Sequence, residues 1–169
     1  KKVLMMDGDL RNPTIGRVLG LEEGHPGLSD YFKNGASMDD IIQTKENLDI
    51  ITAGTIRGEA SSVISDRLME ELMENLMNWY DYIIIDTPPI GIVRDTEILA
   101  SLAEATVLSL RESEERAAAV NDVVDMLEEA GTTVLGGVIN MTRGSQGVQR
   151  RSRYGKYYYG YGNRKNGDE

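Results

Sequence analysis

Two acid-bearing segments have residue types and spacing that could do chemistry. In Val3-Leu4-Met5-Met6-Asp7-Gly8-Asp9-Leu10-Arg11-Asn12-Pro13, an apolar run ends in two carboxylates two residues apart, with an arginine two positions further on. Paired carboxylates can share a metal ion and a proton-acceptor role, because each raises the other's proton affinity while a cation holds both near a substrate. A glycine-containing turn with solvated acids is the competing reading of the same residues. The second segment, Tyr82-Ile83-Ile84-Ile85-Asp86-Thr87-Pro88-Pro89, is an apolar run stopped by Asp86. A carboxylate there can meet a hydrated magnesium ion beside nucleotide phosphates, although many strands end in Asp for turn formation alone.

Positioning such groups requires elements that bring strand ends together. Lys2–Asp7, Leu48–Ala53, Tyr82–Ile85, Ala105–Leu110 and Thr133–Ile139 read as strands that are apolar nearly throughout. Helices are predicted at Leu28–Asn34, at Asp39–Gln43 with Ser37 as N-cap, and over Ser62–Asn78, where Val63, Ile64, Leu68, Leu72 and Leu76 supply the apolar face. Two more are predicted at Asp95–Leu102 and at Glu114–Ala130, the latter closed by Gly131. Trp79 and Tyr80 read as packing anchors and His25 as a loop residue. Apolar strands separated by helices imply an α/β fold, a parallel sheet covered by helices on both faces. Ligands of such sheets bind beyond the carboxyl ends of the strands, where Asp7, Asp86 and Asn140 stand.

Composition bounds the remaining choices. The 169 residues suffice for one domain with a real core, and 40% hydrophobic with 27% charged residues is ordinary globular usage. No apolar run approaches the roughly 20 residues of a membrane-spanning helix. The absence of cysteine excludes disulfides, a thiol nucleophile and thiolate metal sites, and with no secretory signal the expected location is cytoplasmic. The net charge of −10 is uneven: residues 142–169 carry seven basic and two acidic groups, leaving a strongly acidic body. That body argues against non-specific nucleic-acid binding. Residues 143–169 have almost no aliphatic side chains, so residues 1–142 form the expected folded domain and 143–169 a flexible, disordered basic tail rich in tyrosine.

Taken together these segments resemble the bacterial tyrosine kinases of capsule and exopolysaccharide synthesis, P-loop proteins of the deviant Walker type. Asp7-Gly8-Asp9-Leu10-Arg11-Asn12-Pro13 looks like their Walker A-prime motif and Asp81–Pro89 like their Walker B. Asp95 fits the acidic continuation after the double proline, and Gly137-Val138-Ile139-Asn140 is similar to the strand whose terminal Asn contacts adenine in related ATPases. Five of the eight tyrosines, Tyr154, Tyr157, Tyr158, Tyr159 and Tyr161, resemble the C-terminal cluster that these kinases autophosphorylate. An adhesive low-complexity segment or a stacking surface for single strands are the other readings of that tail.

The resemblance implies a P-loop NTPase fold, ATP and Mg2+ as cofactors, and transfer of the γ-phosphate to a neighbouring subunit's tail tyrosine. It implies Asp7 as proton acceptor, Asp9 and Asp86 as holders of hydrated magnesium, and Arg11 and Asn140 as nucleotide-binding residues, with the division between Asp7 and Asp9 open. The implied partners are further copies of the chain, a membrane activator or adaptor, and a tyrosine phosphatase, with no nucleic acid expected. The implied place of work is the inner face of the cell membrane, reached through a partner or an N-terminal segment. Phosphorylation of the basic tail would reverse its charge and is expected to loosen self-assembly.

One departure from the pattern stands out. No Gly-x-x-x-x-Gly-Lys-[Ser/Thr] occurs, so the phosphate loop is absent, the chain looks like a fragment, and weak ATP binding and low turnover are expected. A missing strand is expected to expose Val3 and Met5. Alternatives are an ATPase of the ParA/MinD type, disfavoured in its membrane-helix form by a tail without apolar periodicity, and an inactive interaction or substrate module.

Overall fold

The computed structural model describes residues 1–56, 66–90, 94–112 and 117–141. In chain order the elements are β1 (Val3–Asp7), α1 (Ile15–Leu19), α2 (Leu28–Asn34), α3 (Met38–Ile41), β2 (Ile42–Lys45), β3 (Leu48–Ile51), α4 (Asp66–Met77), β4 (Tyr82–Asp86), α5 (Arg94–Ser101), β5 (Ala105–Arg111), α6 (Ala117–Glu129) and β6 (Thr133–Asn140). The alternation of strand and helix is the expected α/β pattern.

The strands form two sheets. In the first, ordered β2-β3-β1-β4, β1 lies inside and pairs in parallel with β3 on one side and β4 on the other. In the second, β5 and β6 are parallel, connected through α6. Leu4 and Met6 on β1 point into the core with Ile51, and Ile83 and Ile85, their neighbours on β4, pack against the same cluster. Leu28 of α2, Ile41 of α3, Met69, Leu72, Met73 and Leu76 of α4 and Leu99 of α5 complete it. Side chains alternate along a strand, so Val3, Met5 and Asp7 share the opposite face with Tyr82, Ile84 and Asp86.

Several expectations need correction. The helix predicted at Asp39–Gln43 stops at Ile41, after a capping box in which Ser37 and Asp40 satisfy each other's backbone N–H. Ile42–Lys45 instead forms a strand antiparallel to β3, closed by a two-residue turn with Glu46 at positive φ. A four-residue helix has little cooperative stability, so the hairpin ladder wins. The sheet is therefore mixed, with an antiparallel edge. Second, α1 forms where only a loop was expected.

Third, α4 buries Leu72 and Leu76 as expected but adds Met69 and Met73 to the inward face and leaves Leu68 37% exposed, so the buried stripe is turned toward the methionines. Fourth, Val3 and Met5 are half-buried because β1 has a strand on either side; on that face the exposed side chains are Tyr82 and Ile84 of the edge strand β4. Tyr80 is an anchor, its hydroxyl donating to Asp49 at 2.8 Å, whereas Trp79 is exposed. Gly131, at φ 92°, closes α6 as expected, its N–H meeting Glu128 C=O. The predicted helix starts at Ser62 and Glu114 and the tail lie outside the described residues.

Leu72 is fully buried at the centre of the cluster. Leu72→Ala is expected to cost about 2–5 kcal/mol. Urea unfolding checks this as a lowered midpoint with an unchanged slope.

Candidate active site

The register of β1 on β4 places Asp7 opposite Asp86 as the last pair of the ladder. Beyond it the Gly8 N–H donates to the Asp86 carbonyl at 2.8 Å, continuing the pairing into the loop. A Cβ on residue 8 would lie 2.7 Å from that carbonyl oxygen and 2.7 Å from Leu99 Cδ1. Only glycine lets the two acid-bearing loops approach this closely. Gly8 thus belongs to the site through its missing side chain, which the residues of its segment do not by themselves reveal.

Asp7 is wholly buried. Its Oδ2 accepts the N–H groups of Thr14 and Ile15, both at 3.0 Å, and so holds the start of α1; its Oδ1 accepts one long bond, 3.3 Å, from Asp9 N–H. Burial raises its pKa to about 6, opposed by those backbone donors and assisted by the charge of Asp86. Asp9, also buried, accepts the N–H groups of Arg11 and Asn12 on Oδ1 at 3.2 and 3.0 Å, an Asx-type turn that folds the loop back on its own carboxylate. Burial raises the proton affinity of Asp9 as well, with the Asn12 and Arg11 groups pulling it down and Asp95 pushing it up.

Asp86 stands on the exposed edge strand, yet its surroundings and then the charge of Asp9 raise its pKa. The three acids are therefore electrically coupled: Asp7 responds to Asp86, and Asp86 to Asp9. Concentrated negative charge with raised proton affinity is what a cation relieves. Among the described residues no group of three or more His or acidic side chains is arranged to cage a metal ion. One or two carboxylates with water and phosphate completing the shell is the usual manner of magnesium, and the residues fit that.

Behind these loops lies the first part of α5. Asp95, buried, pairs with the Arg11 guanidinium, Nη2 to Oδ2 at 3.6 Å, and Thr96 Oγ1 donates to the Pro88 carbonyl at 3.0 Å. Thr96 was not foreseen; a hydroxyl in the residues after Pro88-Pro89 was the signal available. Asn140 ends β6 in the second sheet, where its amide donates to Ser109 Oγ at 3.1 Å and its carbonyl accepts the Glu112 N–H. The structure thus brings together Asp7, Asp9, Asp86 and Arg11, and sets Asn140 at another strand's carboxyl end. The five tail tyrosines lie outside the described residues.

No family model matches the chain. It is 34% identical over 161 residues to the putative tyrosine-protein kinase CapB of Staphylococcus aureus, covering 94% of this chain and 68% of that protein. The tyrosine-protein kinase YwqD of Bacillus subtilis is 32% identical over 162 residues, covering 95% and 65%. The chain therefore spans about two thirds of the length of these curated relatives. Among solved structures, the VpsO kinase domain superposes with a TM-score of 0.76 at 31% identity, covering 82% of this chain and 70% of that one. The septum site-determining protein MinD of Pyrococcus horikoshii, complexed with Mg-ADP, gives 0.68 at 27%, covering 82% and 57%.

The raised pKa of Asp7 has a sign that stability can report. Its folded-state value, about 6, lies above the ordinary 3.8, so the folded state binds the proton more tightly. The stability this confers is complete below the unfolded-state value and is lost as pH rises through about 6. Over that window the loss is on the order of 2–3 kcal/mol. Urea unfolding between pH 4.5 and 6.5 is expected to show a shallower decline in Asp7→Asn than in the unsubstituted chain.

Proposed function

The chain belongs to the bacterial tyrosine-protein kinases, and from that membership we propose that it serves ATP-dependent phosphorylation of its own tyrosine cluster, Tyr154 to Tyr161, between copies of the chain. The observation that carries the reading is the end of the β1–β4 ladder, where Asp7 faces Asp86 and Asp9 is coupled to both loops.

In this reading the acceptor tyrosine's oxygen attacks the γ-phosphorus as the bond to the bridging oxygen breaks and ADP leaves. The phenolic proton passes to Asp7, whose Oδ1 has only the long bond from Asp9 to lose. A proton affinity near the working pH suits a general base. Asp9 and Asp86 hold the hydrated magnesium ion, which when bound screens the charge of the β and γ phosphates. Asn140, released from Ser109, meets the adenine. Arg11 braces Asp9 through its backbone N–H, while its guanidinium pairs with Asp95. No Gly-x-x-x-x-Gly-Lys-[Ser/Thr] occurs in these 169 residues, so this reading assigns the phosphate cradle to none of the residues named here.

The proposed setting is capsule or exopolysaccharide synthesis, with a membrane adaptor bringing the domain to the inner face of the membrane and a phosphatase reversing the modification. Among the described residues no helix is long and apolar enough to cross a membrane, so attachment through a partner is consistent with the domain. The similarity to MinD supports a second reading, in which the same carboxylates serve hydrolysis of ATP.

The test supplies a phosphate loop ahead of Lys1, adds ATP and Mg2+, and maps phosphate on the tail peptides by mass spectrometry. Tail phosphotyrosine that falls by about 100-fold or more in Asp7→Asn or Asp86→Asn is the expected result. ATP hydrolysis with an unmodified tail selects the MinD-type reading. Tail phosphate that appears only when an intact kinase is added in trans makes the chain a substrate module.

A further inference from the structure

The turn that follows β4 has few means of holding its shape. Asp86 is succeeded by Thr87-Pro88-Pro89, and since a proline has no N–H, the ladder with β1 gains no donor from the last two. The Thr87 N–H is taken up locally, by the Asp86 carboxylate itself. Tethers from this turn to the rest of the protein therefore fall on its carbonyl groups. Two are bonded: the Asp86 carbonyl accepts the Gly8 N–H at 2.8 Å, and the Pro88 carbonyl accepts a hydrogen bond from Thr96 Oγ1 at 3.0 Å.

These bonds bracket the carboxylate of the second acid-bearing segment. Asp86 ends an edge strand that is paired with β1 alone, so the direction of its side chain depends on the backbone that comes after it. Thr96 is better fixed. It lies on the first turn of α5, 4% exposed, and Pro88 is buried with it. Removing a hydroxyl at such a place leaves the carbonyl without a partner and out of reach of water. Leu99, one turn on and also buried, lies against Gly8, so the helix that holds Pro88 bears on the loop of Asp9 as well.

We propose that Thr96 is a positioning residue of the cation site: its hydroxyl, through Pro88, sets the turn after β4 and with it the direction in which Asp86 presents its carboxylate. The proposal deepens the reading that Asp9 and Asp86 hold a divalent cation, and rests on it. A purely architectural Thr96 would cost stability alone. A positioning Thr96 costs cation affinity in chains that remain folded.

Mn2+ is the probe, titrated into the 169-residue chain while the backbone amide signals of Gly8 and Thr87 are followed by NMR for paramagnetic broadening. Thr96→Val, which keeps the side-chain shape and removes the hydroxyl, is expected to weaken Mn2+ binding roughly three- to tenfold, the scale of one net hydrogen bond. Thr96→Ser, which keeps the hydroxyl, stays near the unsubstituted chain. Leu72→Ala, a core substitution on α4, lowers stability and leaves the affinity where it was. If Thr96→Val fails to fold, Thr96→Ala removes the same hydroxyl without adding a methyl group to a buried place.

Unchanged affinity in the folded hydroxyl-free variant overturns the proposal. So does a Thr96→Ser chain as weak as Thr96→Val, because the methyl packing would then be what matters, or an equal loss in Leu72→Ala, because affinity would then follow stability. No broadening in the unsubstituted chain sinks the cation reading and this inference with it. Normal broadening there, with an indifferent Thr96→Val, sinks this inference alone.

Discussion

The pairing of β1 with β4 is the constraint on which the site depends. Five consecutive residue pairs in parallel register end at Asp7 opposite Asp86, and the Gly8 N–H bonded to the Asp86 carbonyl carries the contact one residue beyond the strands. A one-residue slip would send one carboxylate to the opposite face of the sheet. The register is held by what lies beneath it: Leu4 and Met6 are fully buried, and their neighbours Ile83 and Ile85 pack against the same cluster. Core packing on one face thus fixes where the two carboxylates stand on the other.

These carboxylates are held at a cost. Asp7, Asp9, Asp86 and Asp95 all have raised proton affinity, with burial the first cause in each case. Asp30 is an instructive contrast. It too is buried, and burial alone would raise it, but hydrogen bonds from Thr55, Gly27 and Asn34 outweigh that and lower its pKa. Asp30 staples the residues after β3 to the start of α2, at a place where Gly27 and Gly54 come so close that a Cβ on either would overlap the other's backbone or Asp30. A carboxylate satisfied by its neighbours is structural; carboxylates left above their ordinary proton affinity and facing one another are poised for a cation or a proton.

α5 links these two kinds of constraint. Its residues Leu99 and Ala100 are buried, while Asp95 and Thr96, a turn earlier, grip Arg11 and Pro88. The loops are therefore anchored from the core side as well as along the ladder. The exposed edge of the first sheet lies immediately beside them, with Tyr82 and Ile84 on the same face as Asp7 and Asp86.

By itself the sequence determined the α/β alternation, every described strand except β2, the helix at Leu28–Asn34 and the two acid-bearing strand ends. It could do so because short apolar β-branched runs such as Tyr82–Ile85 favour a strand, and because Asp-Gly-Asp and Asp-Thr-Pro-Pro end strands abruptly. Short-range patterns are legible when one local preference has no strong competitor. Ile42–Lys45 had one: its residues suit a helix end or a hairpin strand, and only pairing with β3 decided between them. The stripe on α4 likewise needed the neighbouring strands to show that Met69 faces inward and Leu68 outward. Tertiary structure alone decided that Asp7 meets Asp86, that the Arg11 charge is drawn to Asp95, and that Gly8 must lack a side chain. Each depends on atoms many residues apart in the chain, and no periodicity in a sequence records such a distance.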